Sequence, residues 1–254
     1  MVKRILIPLL MLLFIIPIST YAQNWKLKRY EVYGGIGTTN FFGDIGGTED
    51  INNLAGFKDI QLKYTRPSFT LGARYRLTGN MAVKLSLING FTTAKDTGSR
   101  NEKRGYAFTS TIFEPSLQFE YYFIPESVRA SSALFNHRGM VSSITSINMY
   151  VFGGVGGVMF KPKPKEKFIP IFNDNFSKFG LVFPIGVGFK LPFDSRWSFG
   201  LELGRRITTT DYIDGYKSKY SKHNDTYYFG VVNAVYKIRT NRRGYPILKK
   251  KGLS

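Results

Sequence analysis

The sequence predicts an all-β fold, an eight-stranded antiparallel up-and-down transmembrane β-barrel. Three features indicate it: short segments that alternate between apolar and polar residues, an abundance of aromatic residues and glycine, and an alternation of long and short connections. The 254 residues include 22 Phe, 16 Tyr and 26 Gly. Aromatic side chains favour strands, and glycine allows the turns and the tight curvature that a small barrel requires.

Eight segments show the period of two residues that is typical of a strand. In the clearest, large apolar residues occupy the odd positions and small or charged residues the even positions. Single-chain bacterial barrels have an even number of strands. A soluble β-sandwich also alternates, so one strand alone does not distinguish the two folds. The predicted strands are 30–41, 69–77, 81–88, 113–123, 147–160, 181–190, 197–204 and 226–239.

The lengths of the connections favour a membrane barrel over a secreted soluble β domain. With both termini in the periplasm, the four connections on the outer side are long, whereas two of the three on the periplasmic side are tight turns. Long outer loops and short periplasmic turns are typical of outer-membrane barrels. The outer connections are 43–69, 94–105, 161–178 and 208–225, and the periplasmic ones are 77–80, 192–196 and the long exception, 124–146.

The N-terminus is similar to a secretory signal peptide. Two basic residues precede an apolar run at 5–18, and Ala22 ends the segment. A transmembrane anchor is the alternative, but a run of about 14 residues is shorter than the roughly 20 that a spanning helix needs. We therefore divide the chain into a cleaved signal peptide (1–22), an outer-membrane β-barrel (23–240) and a basic C-terminal tail (241–254).

The composition excludes several kinds of active site. The chain has no cysteine, and its two histidines, His137 and His223, are far apart. Disulfides, thiol catalysis and Cys-based metal sites are therefore excluded, and a His-based metal site or a Ser-His-Asp triad is disfavoured. Ser221 and Asp225 lie near His223, but that segment has the sequence of an ordinary polar loop. We expect a protein that is not an enzyme, with no catalytic residue, cofactor or metal.

The strong positive charge indicates the class of partner. The formal net charge is +19, and removal of Lys3 and Arg4 with the signal peptide lowers it to +19 − 2 = +17. Such a charge often indicates nucleic acid, which an exported protein seldom meets, so we expect no nucleic-acid partner. Outer-membrane lipid, the phosphates of lipopolysaccharide and acidic proteins suit this charge better. A basic surface without a dedicated ligand is the alternative.

Charged residues at inward-facing strand positions form a predicted network. The interior of an eight-stranded barrel is just wide enough for its own side chains, and an unpaired buried charge costs several kcal/mol. Opposite charges are therefore expected to pair into a salt-bridged plug, with a selective ion path as the alternative. The predicted network is Glu31, Arg74, Arg76, Lys84, Glu114, Glu120, Lys190, Glu202 and Arg206.

Two pairs of motifs resemble a known family. Residues 33–37 (YGGIG) lead into 40–46 (NFFGDIG), and 202–206 (ELGRR) lead into 210–214 (TDYID). This pattern resembles a family of small outer-membrane barrels that includes PorG, a component of the type IX protein secretion system. Gly215 stands where that pattern is expected to have a second acidic residue. The resemblance implies an eight-stranded barrel that contacts a periplasmic secretion-ring protein or lipoprotein.

The acidic residues of these motifs also have local interpretations. Asp44 is expected to bond nearby backbone amides in a turn. Asp211 and Asp214 are expected either to do the same or to pair with Arg205 and Arg206. Calcium would need six to eight oxygen ligands, which the motifs do not visibly supply.

The tail and the long connection 124–146 are the predicted docking sites for a periplasmic partner, because neither is needed to close a barrel. Basic groups around a short apolar segment suit an acidic groove. A solvated tail without a partner is the alternative. The candidate docking residues are Arg242, Arg243, Tyr245, Ile247, Leu248, Lys249, Lys250 and Lys251.

Three functions agree with these features. The first is a structural component that anchors an envelope assembly, namely type IX secretion. The second is a small porin-like channel, and the third is a surface adhesin or receptor that acts through the outer loops.

Overall fold

The computed structural model is a closed antiparallel barrel. Its eight strands follow one another in chain order, and the last strand pairs with the first. The predicted fold class is therefore confirmed. The predicted signal peptide (1–22), most of the connection 124–146 and the end of the tail lie outside the described residues. The structure describes residues 23–46, 62–97, 102–126, 147–172, 174–194, 196–217, 224–241 and 243–247.

The strands contain 11 to 19 residues each. A tilted strand needs about 9–11 residues to cross a bilayer, so every strand is long enough. No helix in these ranges is long and apolar enough to cross a membrane. The strands are β1 (Tyr30–Phe42), β2 (Arg66–Arg76), β3 (Met81–Lys95), β4 (Tyr106–Ile124), β5 (Asn148–Glu166), β6 (Phe179–Pro192), β7 (Trp197–Thr208) and β8 (Thr226–Ile238).

Strands β3, β4 and β5 extend beyond their predicted ends. β4 begins at Tyr106 instead of residue 113, and β5 continues to Glu166, so 161–166 is strand although the sequence predicts a loop there. The pairing runs in register from Thr111 opposite Lys161 to Tyr106 opposite Glu166. The sequence pattern underestimates these strands because most of the outward-facing residues in the added stretches are Asn, Thr or Lys, which lack the apolar signal.

The wall separates an apolar exterior from a filled interior. On β7, Leu201 and Leu203 are 41% and 48% exposed, whereas Glu202 between them is 8% exposed. A soluble sandwich would bury the leucines and expose the carboxylate. The observed inversion is typical of barrels that span lipid.

Glycines in the strands make room for large side chains that point into the lumen. A Cβ on Gly188 would lie 2.1 Å from Cζ of Tyr150, and a Cβ on Gly204 would lie 2.4 Å from a terminal nitrogen of Arg206. Both distances are too short for a real contact. Glycine at these positions therefore admits Tyr150 and Arg206 to the interior.

Two short segments cover the end of the barrel that holds both termini, which we call the terminal end. A 3-10 helix (Gln23–Lys28) precedes β1, and the residues after β8 turn back so that Thr240 bridges Pro246. The Thr240 N–H donates to the Leu27 carbonyl at 2.9 Å and joins the two segments. Gly244, with φ +86°, forms the turn. The opposite end, which carries the four outer connections, is called the loop end.

Candidate functional site

The structure places all nine predicted network residues on the inner face, each between 0% and 8% exposed. Two further charged residues, Glu126 and Lys237, extend the network at the terminal end. The network therefore occupies a lumen from which water is largely excluded. The nine are Glu31, Arg74, Arg76, Lys84, Glu114, Glu120, Lys190, Glu202 and Arg206.

Arg74 on β2 is the centre of the network. Its guanidinium lies 2.9 Å from Glu31 on β1, 2.6 Å from Glu120 on β4 and 3.3 Å from Glu202 on β7. Because a guanidinium carries five donors in a fixed plane, one side chain can bind several carboxylates at once. Arg74 thereby links strands from opposite sides of the wall.

Glu202 receives contacts from three other strands. Lys84 Nζ lies 2.8 Å from one carboxylate oxygen, and the Tyr150 hydroxyl donates to the other at 2.7 Å. Arg74 contacts that second oxygen as well. Lys84 on β3 and Glu202 on β7 lie across the lumen from each other, so their contact spans it.

A carboxylate that the sequence analysis missed gathers the cations at the terminal end. Glu126 lies 3.2 Å from Arg76 and 3.8 Å from Lys190, and it accepts a hydrogen bond from Lys237. Burial alone would raise the pKa of Glu126, but Lys190, Arg76 and Lys237 lower it to about 2. The carboxylate is therefore ionised and holds these cations together.

The assigned end of the fourth strand explains why Glu126 was missed, whereas Lys237 was within reach of the sequence. The sequence ends that strand at residue 123 and assigns 124–146 to a connection, but Glu126, two residues beyond the end of β4, still reaches the network. Lys237 instead continues the inward phase of β8. Extending the same alternation to the end of β8 would have found it.

A separate buried pair lies nearer the loop end. Arg206 Nε is 3.4 Å from Glu114 Oε1, and the Tyr227 hydroxyl donates to Glu114 Oε2 at 2.9 Å. The Arg206 guanidinium also lies 4.8 Å from the centroid of the Phe229 ring. The pair is thus enclosed by an aromatic layer.

From this pair towards the loop end, the interior is mainly apolar, which the sequence analysis did not predict. Residues from most of the strands and from the loop-end turns pack into one buried cluster, the loop-end cluster. Apolar side chains here occupy inward positions as well as outward ones, so the simple division into faces fails. The cluster comprises Phe41, Ile45, Ile88, Ala94, Phe108, Ile112, Val158, Phe160, Phe168, Val182, Ile213, Tyr227, Phe229 and Val231.

The motifs that carry the family resemblance meet in this cluster. The Ile45 N–H donates to Asp214 Oδ2 at 3.2 Å, and the Tyr216 N–H donates to Asp214 Oδ1 at 2.8 Å. Asp214 therefore shapes its own turn and also holds the turn that follows β1. Gly215 has φ +78°, a left-handed conformation that favours glycine over an acidic residue.

Asp225 lies beside this junction and has one unpartnered oxygen. Its Oδ2 accepts the Ile213 N–H at 2.8 Å, whereas Oδ1 has no hydrogen-bond partner among the described residues. Burial raises the pKa of Asp225 well above its ordinary value, and the neighbouring carboxylates of Asp214 and Asp211 raise it further. Burial also raises the pKa of Asp214. A Cβ on Gly43 would lie 2.2 Å from Asp225 Oδ1, so only glycine fits there.

The pairing of Asp214 with an arginine of β7 is not found. Arg206 points inward to Glu114, and the Arg205 guanidinium lies 5.8 Å from the centroid of the Tyr228 ring. Within the described ranges, Asp214 forms no salt bridge with either arginine. Its backbone hydrogen bonds draw it into the loop-end turns instead.

A second contact, also missed by the sequence analysis, ties the turn after β1 to the β3–β4 connection. Arg104 Nε donates to Asp96 Oδ2 at 2.9 Å, and a terminal nitrogen of Arg104 donates to the Asp44 carbonyl at 2.7 Å. The Gly46 N–H donates to Asp96 Oδ1 at 3.0 Å. An isolated Asp and Arg in a predicted loop carry no pattern that marks such a clamp.

The candidates for catalysis and metal binding are only partly described. Ser221 and His223 lie outside the described residues, whereas Asp225 accepts a backbone N–H as above. In the ranges that the structure covers, no group of three or more His, Cys, Asp or Glu is placed to hold a metal ion.

The Arg206–Glu114 pair tests the energetics of the lumen. Arg206→Met leaves the buried Glu114 without its cation and is expected to destabilise the barrel by about 3–5 kcal/mol. The double variant Arg206→Met/Glu114→Leu is expected to recover most of that loss. Denaturant unfolding of the refolded barrel measures both. Asp174→Ala, which breaks an exposed pair with Lys178, is the control and should cost about 1 kcal/mol or less. Additive losses in the double variant would contradict the pairing.

Asp225 predicts a pH dependence at the loop end. The pKa of Asp225 is higher in the folded protein than in the unfolded chain. Its contribution to stability is therefore complete below the unfolded pKa and is lost as the pH rises through the folded pKa. Asp225→Asn keeps an acceptor for the Ile213 N–H and removes the charge. At neutral pH it should therefore protect the Ile213 amide from hydrogen exchange more strongly than wild type does.

Near pH 4 the Asp225→Asn variant and wild type should exchange alike, because the wild-type carboxyl is then protonated. Asp174→Asn, at an exposed carboxylate, is the control and should leave the exchange of the Ile213 amide unchanged at both pH values. Faster exchange in Asp225→Asn than in wild type at neutral pH would show that the ionised carboxylate is stabilising.

Comparisons with known proteins found similar solved structures and one family. The structure is similar to Neisserial surface protein A (9% identity, TM-score 0.44, covering 82% of this chain and 96% of that chain). It is similar to OprG from Pseudomonas aeruginosa (12% identity, TM-score 0.44, covering 84% of this chain and 97% of that chain). It is also similar to Ail of Yersinia pestis in complex with the heparin analogue sucrose octasulfate (10% identity, TM-score 0.37, covering 83% of this chain and 97% of that chain). No curated protein matches the sequence. The family described as Domain of unknown function (DUF6089) matches residues 3–238, nearly the whole chain, and the protein belongs to that family.

Proposed function

We propose that this protein is a non-conducting outer-membrane barrel that anchors an envelope assembly and catalyses no reaction. One observation carries the proposal: the lumen is filled along its length. A charged network occupies the terminal end and the middle, and an apolar cluster occupies the loop end. A channel needs a continuous polar path, and among the described residues the loop-end cluster occupies the place that such a path would need.

The exterior supports a place in the membrane. The exposed side chains of the strands are predominantly apolar, for example Leu71 at 62%, Ile36 at 67% and Leu117 at 53%. In water such a surface would drive aggregation, whereas in lipid it is the favourable outer surface of a barrel. The predicted signal peptide supplies the export route that this placement requires.

The filled lumen disfavours the porin-like alternative on energetic grounds. Passage of an ion would require Arg74 to leave several carboxylates at once, and the freed charges would stay buried. It would also require water to enter the cluster around Phe108, which is fully buried. Each step costs several kcal/mol.

Planar-bilayer recordings test this part of the proposal. Wild type is expected to show no steady channel. Phe108→Ala/Phe229→Ala, which thins the loop-end cluster, should remain silent because the charged network below it is intact. A general porin recorded in the same bilayers is the positive control. Steady, ion-selective openings of wild type would overturn the plug and favour a channel.

The assembly that we infer is the type IX protein secretion system, with a periplasmic ring protein or lipoprotein as the partner. What supports this is the resemblance of the motifs around Asp44 and Asp214. The terminal end provides a suitable surface, because Tyr245 and Ile247 are 64% and 56% exposed beside Leu27 at 42%. Basic tail residues around these apolar anchors would steer an acidic partner, and the anchors would supply burial.

Recovery of the partner from envelope membranes tests the assembly. Lys249→Glu/Lys250→Glu/Lys251→Glu is expected to weaken partner binding about tenfold, or 1.4 kcal/mol, and to leave the barrel folded. The matched control reverses three lysines at the loop end, Lys161, Lys163 and Lys165, and should retain the partner. Equal losses in both variants, or cross-linking of the tail from outside the cell, would contradict docking at the terminal end.

A further inference from the structure

The outer face of β5 changes abruptly from apolar residues to lysines. Val151, Val155 and Met159 point outwards and are 43%, 50% and 51% exposed. Beyond Met159, the next three outward positions are all lysine and all exposed. We call these residues, Lys161, Lys163 and Lys165, the lysine ladder.

The apolar surface has a defined upper edge directly below the ladder. Met159 pairs with Phe113 on β4 and with Phe179 on β6, so the three lie in one row across neighbouring strands. Their exposures are 51%, 39% and 50%. Lys161 is the next outward residue above this row. A row of large exposed apolar side chains followed at once by a cation marks the boundary between hydrocarbon and headgroups.

The ladder rises in steps that suit a layer of phosphates. Alternate strand residues are about 6.6 Å apart, and a strand tilted by about 40° converts each step into about 5 Å of height. Lys161 therefore lies near the top of the acyl chains, and Lys163 and Lys165 reach further into the headgroup layer.

The ladder carries charge that the described protein does not neutralise. Its neighbours on β4 are Thr111, Thr109 and Ala107. None of the three lysines forms a salt bridge within the part of the chain that the structure describes. The nearby cation on the β6 side, Lys178, is instead paired with Asp174 at 2.7 Å. The ladder therefore keeps its attraction for an external anion.

Protection of a free strand edge is the competing explanation. β5 pairs with β6 only as far as Met159, so 161–166 has a strand neighbour on one side, among the described residues. Proline and lysine on such an edge prevent association with other strands. Pro162 and Pro164 already remove backbone donors there. Edge protection does not require every outward residue to be lysine immediately above an apolar row.

We propose that the lysine ladder binds the phosphate groups of lipopolysaccharide in the outer leaflet. This inference rests on the proposed outer-membrane placement, which brings the loop end to the cell surface. Lysine is a compact point charge with three donors, suited to phosphate oxygens that present no fixed plane. Basic residues just outside a hydrocarbon layer are the usual sequence pattern for anionic headgroups.

The test measures how tightly the full barrel, refolded in detergent, binds purified lipopolysaccharide. Lys161→Gln/Lys163→Gln/Lys165→Gln is expected to bind at least about tenfold more weakly than wild type, since each lysine near an anionic surface contributes a factor of roughly five. Replacement of all three by arginine should retain binding. Lys249→Gln/Lys250→Gln/Lys251→Gln, with the same loss of charge at the terminal end, is the matched control and should bind as wild type does.

Further binding measurements identify the source of the phosphate. Dephosphorylated lipopolysaccharide should bind wild type only as weakly as it binds the glutamine variant. Equal affinity of wild type for vesicles of phosphatidylglycerol, or ladder-dependent binding of soluble heparin without binding of lipopolysaccharide, would overturn the assignment. Unchanged binding in the glutamine variant would leave edge protection as the explanation.

Heat-modifiable gel mobility shows whether each variant is folded, and the arginine variant keeps the proposal testable if the glutamine variant fails to fold. The two proposals fail separately. Channel openings or loss of the partner would overturn the anchoring function and leave this binding result unchanged. Loss of ladder-dependent binding would leave the filled lumen unaffected.

Discussion

The buried charge around Arg74 is the interaction on which the rest of the structure depends. An eight-stranded wall encloses a lumen too narrow for bulk water, so each charged group inside must find its counter-charge there. Arg74 does so on β1, β4 and β7 together, and Lys84 completes the link from β3 to Glu202. Because these partners come from strands across the lumen, the network can form only in the closed barrel. The barrel wall must therefore close before the buried charges of its interior are neutralised.

The loop end is stabilised by different physics. Apolar side chains fill the interior there, and the connections are held by backbone hydrogen bonds to carboxylates, as in the contact of Ile45 with Asp214, and by the Arg104–Asp96 ion pair. Where the carboxylates crowd together, at Asp225, burial disfavours their ionisation and raises the pKa. The barrel thus has a terminal end and middle held by paired charges and a loop end held by apolar contacts.

The charged network and the loop-end cluster, which together fill the lumen, agree with a structural role in the envelope. In the function proposed above, the filled lumen leaves the rims and the outer surface for recognition. The terminal end presents apolar anchors such as Tyr245, and the outer surface above Met159 presents unneutralised lysines. The two surfaces lie at opposite ends of the barrel, so a partner at one leaves the other free.

The sequence by itself determined the fold class, the strand count and the inward placement of residues such as Arg74, because a period of two residues assigns each side chain to one face. It did not determine which charges pair, since Lys84 and Glu202 are 118 residues apart and meet only after closure. It missed Glu126 because that residue follows the end of β4, in a segment assigned to a connection. It stopped β5 before Lys161 because polar strand residues resemble a loop. Only the tertiary structure decided these points, because strand register depends on the neighbouring strand and charge pairing across the lumen depends on closure of the barrel.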